Sequence, residues 1–251
     1  MNTIQRKVVQ IIGQLPDYLN LSIIDLSCGE GHVLQALSEE GCAAEGTHYQ
    51  DGDYIIENPQ LILEAATIHK GVALNRPLPF PDDSYDVVVM TEVIEHLPDH
   101  FMIIAEIARI LKPGGRVIIT SPNIHRLQSR MKFLLTGTHK IIRRRIGWDT
   151  TIDQLYEYHI NPVDFPTLHA LLKTHGIAIE AVKSSTIKIR YFCLMVLIPF
   201  IWIASWIEAK SKNDSELFAR GEADLFRRMC SVPLLMSEQL IIVGKKAAQS
   251  R

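Results

Sequence analysis

The stretch Ile23-Ile24-Asp25-Leu26-Ser27-Cys28-Gly29-Glu30-Gly31-His32-Val33 restricts the possible fold more than any other part of this chain. A β-branched pair runs into an acid and two closely spaced glycines, and Val33, Leu34 and Leu37 then recur at helical spacing. That order reads as strand, tight turn, helix. Glycine lets the backbone turn sharply and lets a ligand approach where a Cβ would clash. The helix behind it presents unpaired N–H groups. Asp25, at the strand end, is placed to orient the loop or, through water, to accept hydrogen bonds from a cationic head group. The turn lacks the Gly-Lys-Ser/Thr ending of a triphosphate loop. Leu34 stands where a dinucleotide fingerprint needs its third glycine, which argues against a dehydrogenase.

The rest of the first half repeats the strand–helix alternation. Ile4, Val8, Ile11 and Ile12 predict a leading helix over 3–14, stopped by Pro16, which either caps a cofactor cleft or simply packs. Gly41 ends the second helix, and Cys42 to His48 reads as a short strand. Residues 66–80 give a third strand and a Pro-rich loop, and Pro81-Asp82-Asp83-Ser84 has the residues of a reversal. Val87 to Met90 is apolar throughout, as a parallel strand buried on both faces should be. Thr91-Glu92-Val93-Ile94-Glu95-His96-Leu97 follows; Glu95 and His96 either line a site or cap the next helix, over 99–111. Lys112-Pro113-Gly114-Gly115 breaks that helix before a fifth strand, Arg116 to Thr120. Such alternation requires a parallel sheet with helices on both faces. Ligands of such sheets lie at the carboxyl ends of the strands, where Asp25, Gly29, His48 and Thr91 all fall.

Several of these segments together resemble the class I S-adenosylmethionine (SAM) methyltransferases, in particular their small-molecule and lipid-directed group. Asp25 to Gly31 is similar to that family's D-x-G-C-G-x-G motif, Leu78 to Val89 to its LPFPDxSFDVVV, Glu92 to Leu97 to its EVxEHL and Leu111 to Asn123 to its LKPGGRVIITSPN. The likeness covers residues 20–123 strongly, and 159–182 and 238–246 weakly. It implies an α/β fold with a doubly wound, seven-stranded, mostly parallel Rossmann-like sheet, closed by an antiparallel last strand, with inserted helices. It also implies a transferase with SAM as cofactor, held by Asp25, Ser27, Cys28, Gly29, Gly31, His48, Tyr49, Ala73, Leu74, Thr91 and Glu92. His96 and, in the His-x-x-Pro segment, His159 are the implied candidates for taking a proton from the acceptor. Three positions depart from the pattern. Ser27 replaces a glycine, Ala73 an acid that meets adenine, and His48 the acid that takes both ribose hydroxyls. A neutral imidazole accepts one such bond where a carboxylate accepts two, so Glu45 or Asp51 is a possible substitute. The alternative is a catalytically weak or inactive methyltransferase-like binding protein. Histidines and acids show no ligand spacing, so no metal is expected.

The second half is less regular. Seven basic residues (Arg126, Arg130, Lys132, Lys140, Arg143, Arg144, Arg145) and no acid lie among apolar ones between 124 and 145. A basic helical insertion or lid over 124–160 would suit an anionic membrane surface or a phosphorylated acceptor; the plainer alternative is a solvated basic face. Tyr156, Tyr158 and His159 precede a helix around Leu168, Leu171 and Leu172, and Ile177 to Val182 gives a sixth strand. Tyr191 to Ile207 is uncharged, contains Pro199, Trp202 and Trp206, and at 17 residues sits at the short limit for a spanning helix. Spanning is disfavoured because another strand of the sheet follows. The segment is either buried, as a core or dimer helix, or interfacial. It opens an apolar and charged helical insertion over 189–235, ahead of the last strand, and 214–230 reads as a charged helix.

A length of 251 residues, 47% of them hydrophobic and 22% charged, suits one domain spanning 1–251 with a sizeable core. The net charge of −2 gives no support to a nucleic-acid partner. Four scattered cysteines, three of them in apolar surroundings, and an N-terminus whose Arg6 and Lys7 lead into mixed sequence suggest a reduced, cytoplasmic protein, and the basic and apolar second half allows for its association with a membrane surface. The acceptor is expected to be a small-molecule, lipid-like or glycoconjugate compound; the sequence leaves the oligomeric state open.

Overall fold

The computed structural model describes residues 1–49, 67–139, 159–211 and 216–248. In it Asn2 caps helix α1 (Thr3–Gly13) by accepting from the Ile4 and Gln5 amides, while Gln5 returns a bond to the Asn2 amide. The buried stripe of α1, Val8 to Ile12, packs on α2 (His32–Glu39) and the last strand.

The sheet has seven strands: β1 (Ile23–Asp25), β2 (Ala44–Thr47), β3 (Thr67–His69), β4 (Tyr85–Thr91), β5 (Leu111–Pro122), β6 (Ile177–Ser184) and β7 (Gln239–Lys246). Their order is β3-β2-β1-β4-β5-β7-β6. β1 to β5 pair in parallel, and β7 lies antiparallel to both β5 and β6. The chain leaves β1 to one side for β2 and returns on the other for β4. A crevice forms at the carboxyl ends where such an order reverses.

Both faces of the sheet are covered, which explains the unbroken apolar runs. Ile24, Val88, Met90 and Ile119 point into one core, with α3 (His100–Ile110) and α5 (Phe165–Thr174). Ile23, Val87, Val89 and Ile118 point into the other, with α1 and α2. The break expected at Lys112 to Gly115 is part of β5 instead, which starts at Leu111 and is irregular opposite Tyr85 and Val87. Gly115 has a steric reason there, since a Cβ would lie 2.9 Å from the carbonyl oxygens of Asp86 and Lys112.

The later helices also depart from expectation. Residues Ile189–Leu197 form a 3-10 helix, and Pro199 sits at the start of α6 (Ile198–Ser211), where its missing N–H is harmless. Leu194, Ile198 and Ile201 pack over Leu127, Leu235 and Met236, whereas Phe192, Val196, Phe200, Ile203 and Ile207 face outward. The segment is therefore half packed and half exposed. Trp202 meets Phe226 of α7 (Glu216–Met229) edge to face at 5.6 Å, and α8 (Val232–Met236) leads into β7. No described helix is long and apolar enough to cross a membrane. Cys28 and Cys42 are buried, Cys230 is half-buried and Cys193 is exposed.

Of the basic stretch, α4 (Leu127–Thr136) is described, and its basic residues do not form one solvated face. Arg126 turns inward to Glu238 at 3.1 Å and Arg130 donates to the His125 carbonyl at 2.6 Å, while Phe133, Leu134 and Leu135 are exposed. Lys140, Arg143, Arg144, Arg145, Tyr156 and Tyr158 lie outside the described residues.

Candidate functional site

The turn after β1 is held from two sides. The Leu26 amide donates to Val89 of β4, and the Ser27 and Cys28 amides donate to the side chain and carbonyl of Thr47 at the end of β2. Ser27, Gly29 and Gly31 all have positive φ (62°, 55° and 71°), so Ser27 takes the left-handed conformation that glycine adopts without a Cβ clash. A Cβ on Gly29 would meet nothing within 4 Å, so the turn borders open space. Beside it, Gly46 could carry no side chain, because its Cβ would fall 2.5 Å from Leu34 Cδ1 and 2.9 Å from Cys28 Sγ. Burial pushes the Cys28 thiol up to about 12, which makes it a packing group. Asp25 is 2% exposed and its Oδ1 has no hydrogen-bond partner among the described residues. Desolvation raises its carboxyl to about 7.

At the end of β2, the His48 amide donates to the His69 carbonyl and its own carbonyl accepts from Val72. Half-buried Ala73 and buried Leu74 thereby follow directly beside His48. Tyr49 is 67% exposed, its ring 6.2 Å from that of His48. Glu45 does not replace His48: its Oε2 is taken by His69 and Tyr85, each at 2.8 Å. Asp51 lies outside the described residues.

At the end of β4, Thr91 Oγ1 is buried without a partner among the described residues. Glu92 is a second non-glycine residue with positive φ (55°), held by its amide to Thr120 and by Thr120 Oγ1 donating to its Oε1 at 3.0 Å. Two such residues at adjoining strand ends mark a site where other demands outweigh backbone comfort. A 3-10 turn (Ile94–His96) follows. Glu95 in it is wholly buried with neither oxygen hydrogen-bonded among the described residues; burial first, then the charge of Glu92, raise its carboxyl to about 8. The rings of His96 and His159 meet edge to face at 4.8 Å, each Nε2 4.0 Å from Glu95 Oε1. Asn161 fastens this arrangement, its amide donating to the Glu95 carbonyl and its Nδ2 to that of Leu97.

The helix-cap alternative for Glu95 and His96 fails, because Asp99 caps α3 by accepting from Met102. Sequence spacing shows no set of ligands, yet Glu95, His96 and His159 gather with one ligand atom each within 4.8 Å of the others. Sequence spacing cannot show this, because His159 arrives from a distant segment. The signal available was Glu95 itself, an acid amid apolar neighbours beside a candidate histidine.

A family profile described as a methyltransferase domain matches residues 3–182. The chain belongs to this family. Among its relatives, the ubiquinone biosynthesis O-methyltransferase of Sodalis glossinidius is 25% identical over 173 residues, covering 57% of this chain and 65% of the relative. The demethylmenaquinone methyltransferase of Lactococcus lactis is 35% identical over 109 residues, 42% of this chain and 43% of the relative. The chain spans about half to two thirds of the length of these curated relatives. In fold it matches a SAM-dependent methyltransferase of Archaeoglobus fulgidus with a TM-score of 0.55 at 18% identity, covering 97% of this chain and 93% of that one.

S-adenosyl-L-methionine, the cofactor that the strand-end motifs imply by resemblance, fits these strand ends. Among the described residues, the buried Oδ1 of Asp25 and Oγ1 of Thr91 have no hydrogen-bond partner, and a Cβ at Gly29 would meet nothing within 4 Å. A cationic, polar ligand supplies what those groups lack.

Proposed function

We propose that this methyltransferase acts on a hydroxyl of a quinone-type or other lipid-like small molecule, working as one domain whose segments 124–160 and 189–235 form the acceptor side. The carrying observation is the cluster at the end of β4, where His96 and His159 stand over a buried carboxyl that has no hydrogen-bond partner among the described residues. The names of the relatives, which refer to ubiquinone biosynthesis and demethylmenaquinone, support a quinone-type acceptor. On this reading Asp25, Ser27, Cys28, Gly29 and Gly31 hold the amino-acid end of SAM, His48 and Tyr49 the ribose, Ala73 and Leu74 the adenine edge, and Thr91 and Glu92 the region of the sulfonium. When bound, SAM supplies an activated methyl group. The protein's own part is to align the acceptor oxygen behind that methyl, exclude water and receive the hydroxyl proton, for which an imidazole of His96 or His159 is suited.

Calorimetric titration with SAM, followed by an assay with catechol, quinol and glycan acceptors, tests this reading. Micromolar SAM binding and turnover of a quinol are expected. A well-folded chain that binds no SAM would instead favour a methyltransferase-like binding protein. His48→Asp is expected to tighten SAM about tenfold, the scale of one added charge-assisted hydrogen bond. Unchanged or weaker binding would remove His48 from the ribose site.

A second reading concerns where the acceptor is met. Phe192, Val196, Phe200, Ile203 and Ile207 make an outward apolar face, and Phe133 to Leu135 are exposed on α4, which packs against the 3-10 helix carrying Phe192 and Val196. Together with the basic stretch ending in Arg143, Arg144 and Arg145, this supports contact with an anionic membrane surface. The protein is expected to float with phosphatidylglycerol-containing vesicles. Phe200→Asp with Ile203→Asp, or charge reversal of Arg143 to Arg145, should each leave it in the unbound fraction; flotation unaffected by either change would rule this surface out.

A further inference from the structure

We propose that Glu95, His96 and His159 bind a divalent transition-metal cation. One ligand atom from each lies within 4.8 Å of the others, and Glu95 Oε1 is 4.0 Å from both imidazole Nε2 atoms. That separation is too long for a hydrogen bond. Metal–ligand bonds of about 2.0–2.2 Å place ligand atoms roughly 3–4 Å apart, so a closure of about 1 Å completes the set.

The second, independent observation is Glu95. It is fully buried, both its oxygens lack a hydrogen-bond partner among the described residues, and one oxygen faces both histidines. A carboxylate removed from water and given no donor is stable only if something positive takes their place. Glu92, whose charge acts on Glu95, adds to the negative potential there. Two imidazoles and one carboxylate select the manganese-to-zinc series over magnesium or calcium, whose ligands are oxygens. Glu95 is inaccessible while the His96 and His159 side chains are 26% and 20% exposed, so the cation enters from the histidine side. The Asn161 bonds to Glu95 and Leu97 hold the His159 segment against the turn, the outer-shell fixing that a ligand from a separate element requires.

The inference rests on the acceptor-side reading above and changes the role of the histidines from proton acceptors to ligands. The cation would bind the acceptor hydroxyl and favour loss of its proton to solvent. The oxygen lone pair then forms the bond to the methyl carbon as the carbon–sulfur pair returns to sulfur, leaving a thioether, with no change of oxidation state.

The test uses the tag-free full chain, stripped with chelator and dialysed against cobalt(II), manganese(II) or zinc(II) in turn, without SAM or acceptor. Elemental analysis should give one metal per chain, and cobalt should show the visible absorption bands of mixed nitrogen and oxygen ligation. Glu95→Gln, His96→Ala and His159→Ala should each weaken binding by more than the roughly 10- to 100-fold that loss of an outer-shell partner costs. His175→Ala, at an exposed histidine, should not; His159→Gln serves if His159→Ala does not fold. No retained metal on a folded native chain, or binding that survives all three ligand changes, overturns the proposal. SAM affinity, titrated separately on the same samples, shows whether the cofactor reading stands or falls independently.

Discussion

Gly29→Arg is expected to abolish SAM binding while leaving a folded protein. The turn after β1 borders open space at Gly29, and a Cβ there meets no atom within 4 Å. The first side-chain atom is therefore tolerated, but a guanidinium on a long stem occupies the volume the cofactor needs and brings a positive charge toward a cationic head group. The backbone adds its own cost, because φ is +55° and a non-glycine residue in that conformation loses about 1–2 kcal/mol. Gly29→Ala separates the two effects, since it carries the strain without the bulk. Calorimetry should find no SAM binding for the arginine variant and a reduced but measurable affinity for the alanine variant, both with native-like circular dichroism. Equal affinities for the two variants would mean that the open space is not the cofactor's.

Asp25→Asn should raise stability and weaken SAM binding together, and only above the acidic range. Burial lifts the Asp25 carboxyl from 3.8 to about 7. Below pH 4 both folded and unfolded chains hold the proton. Between pH 4 and 7 the unfolded chain has released it and the folded one has not, so the folded state loses stability as pH rises, by about 4 kcal/mol in all at 1.36 kcal/mol per pH unit. Asparagine cannot ionise and removes that slope. After about 1–3 kcal/mol for its own unpaired burial, the variant should be roughly 2 kcal/mol more stable than the native chain at pH 8, and no more stable at pH 4. SAM affinity moves the other way, because the cation favours the carboxylate. Native affinity should fall about tenfold per pH unit below 7, and the variant should bind about 100-fold more weakly at pH 8, the scale of a lost buried charge contact. Denaturant melts and calorimetry at pH 4, 6 and 8 read both; parallel stability curves for the two proteins would show that Asp25 does not carry the shift.

The strand–turn–helix at Ile23 to Leu37 was legible because apolar runs, closely spaced glycines and a helical period are local properties. The same holds for β4, whose Val87 to Met90 alternate between two cores and so must all be apolar. What stayed hidden depends on groups distant in sequence. Glu45 looks free beside His48, but His69 and Tyr85 claim it. In sequence Arg126 and Arg130 belong to a run of basic residues that reads as an outward lid or a solvated face, but Glu238 and the His125 carbonyl draw them inward, while Leu134 and Leu135 lie outside. The glycines around Gly114 look like a break, yet Gly115 is there because β5 continues against Asp86. Of the site, the cofactor side follows the residue types along each strand end. The meeting of Glu95 with His159 depends on Asn161 bonding to the turn, and no spacing rule contains that.

The position of β7 between β5 and β6 has a consequence for how the protein is made. Among the described strands β6 has no sheet neighbour except β7, and β7 is supplied by Gln239–Lys246, after the helices that follow β6. While the ribosome is still adding those helices, β5 presents an open edge and β6 has nothing to pair with. Unpaired edges and exposed apolar helices are the features on which chaperones act and from which aggregates start. Closure of this half of the sheet therefore waits for synthesis to reach β7.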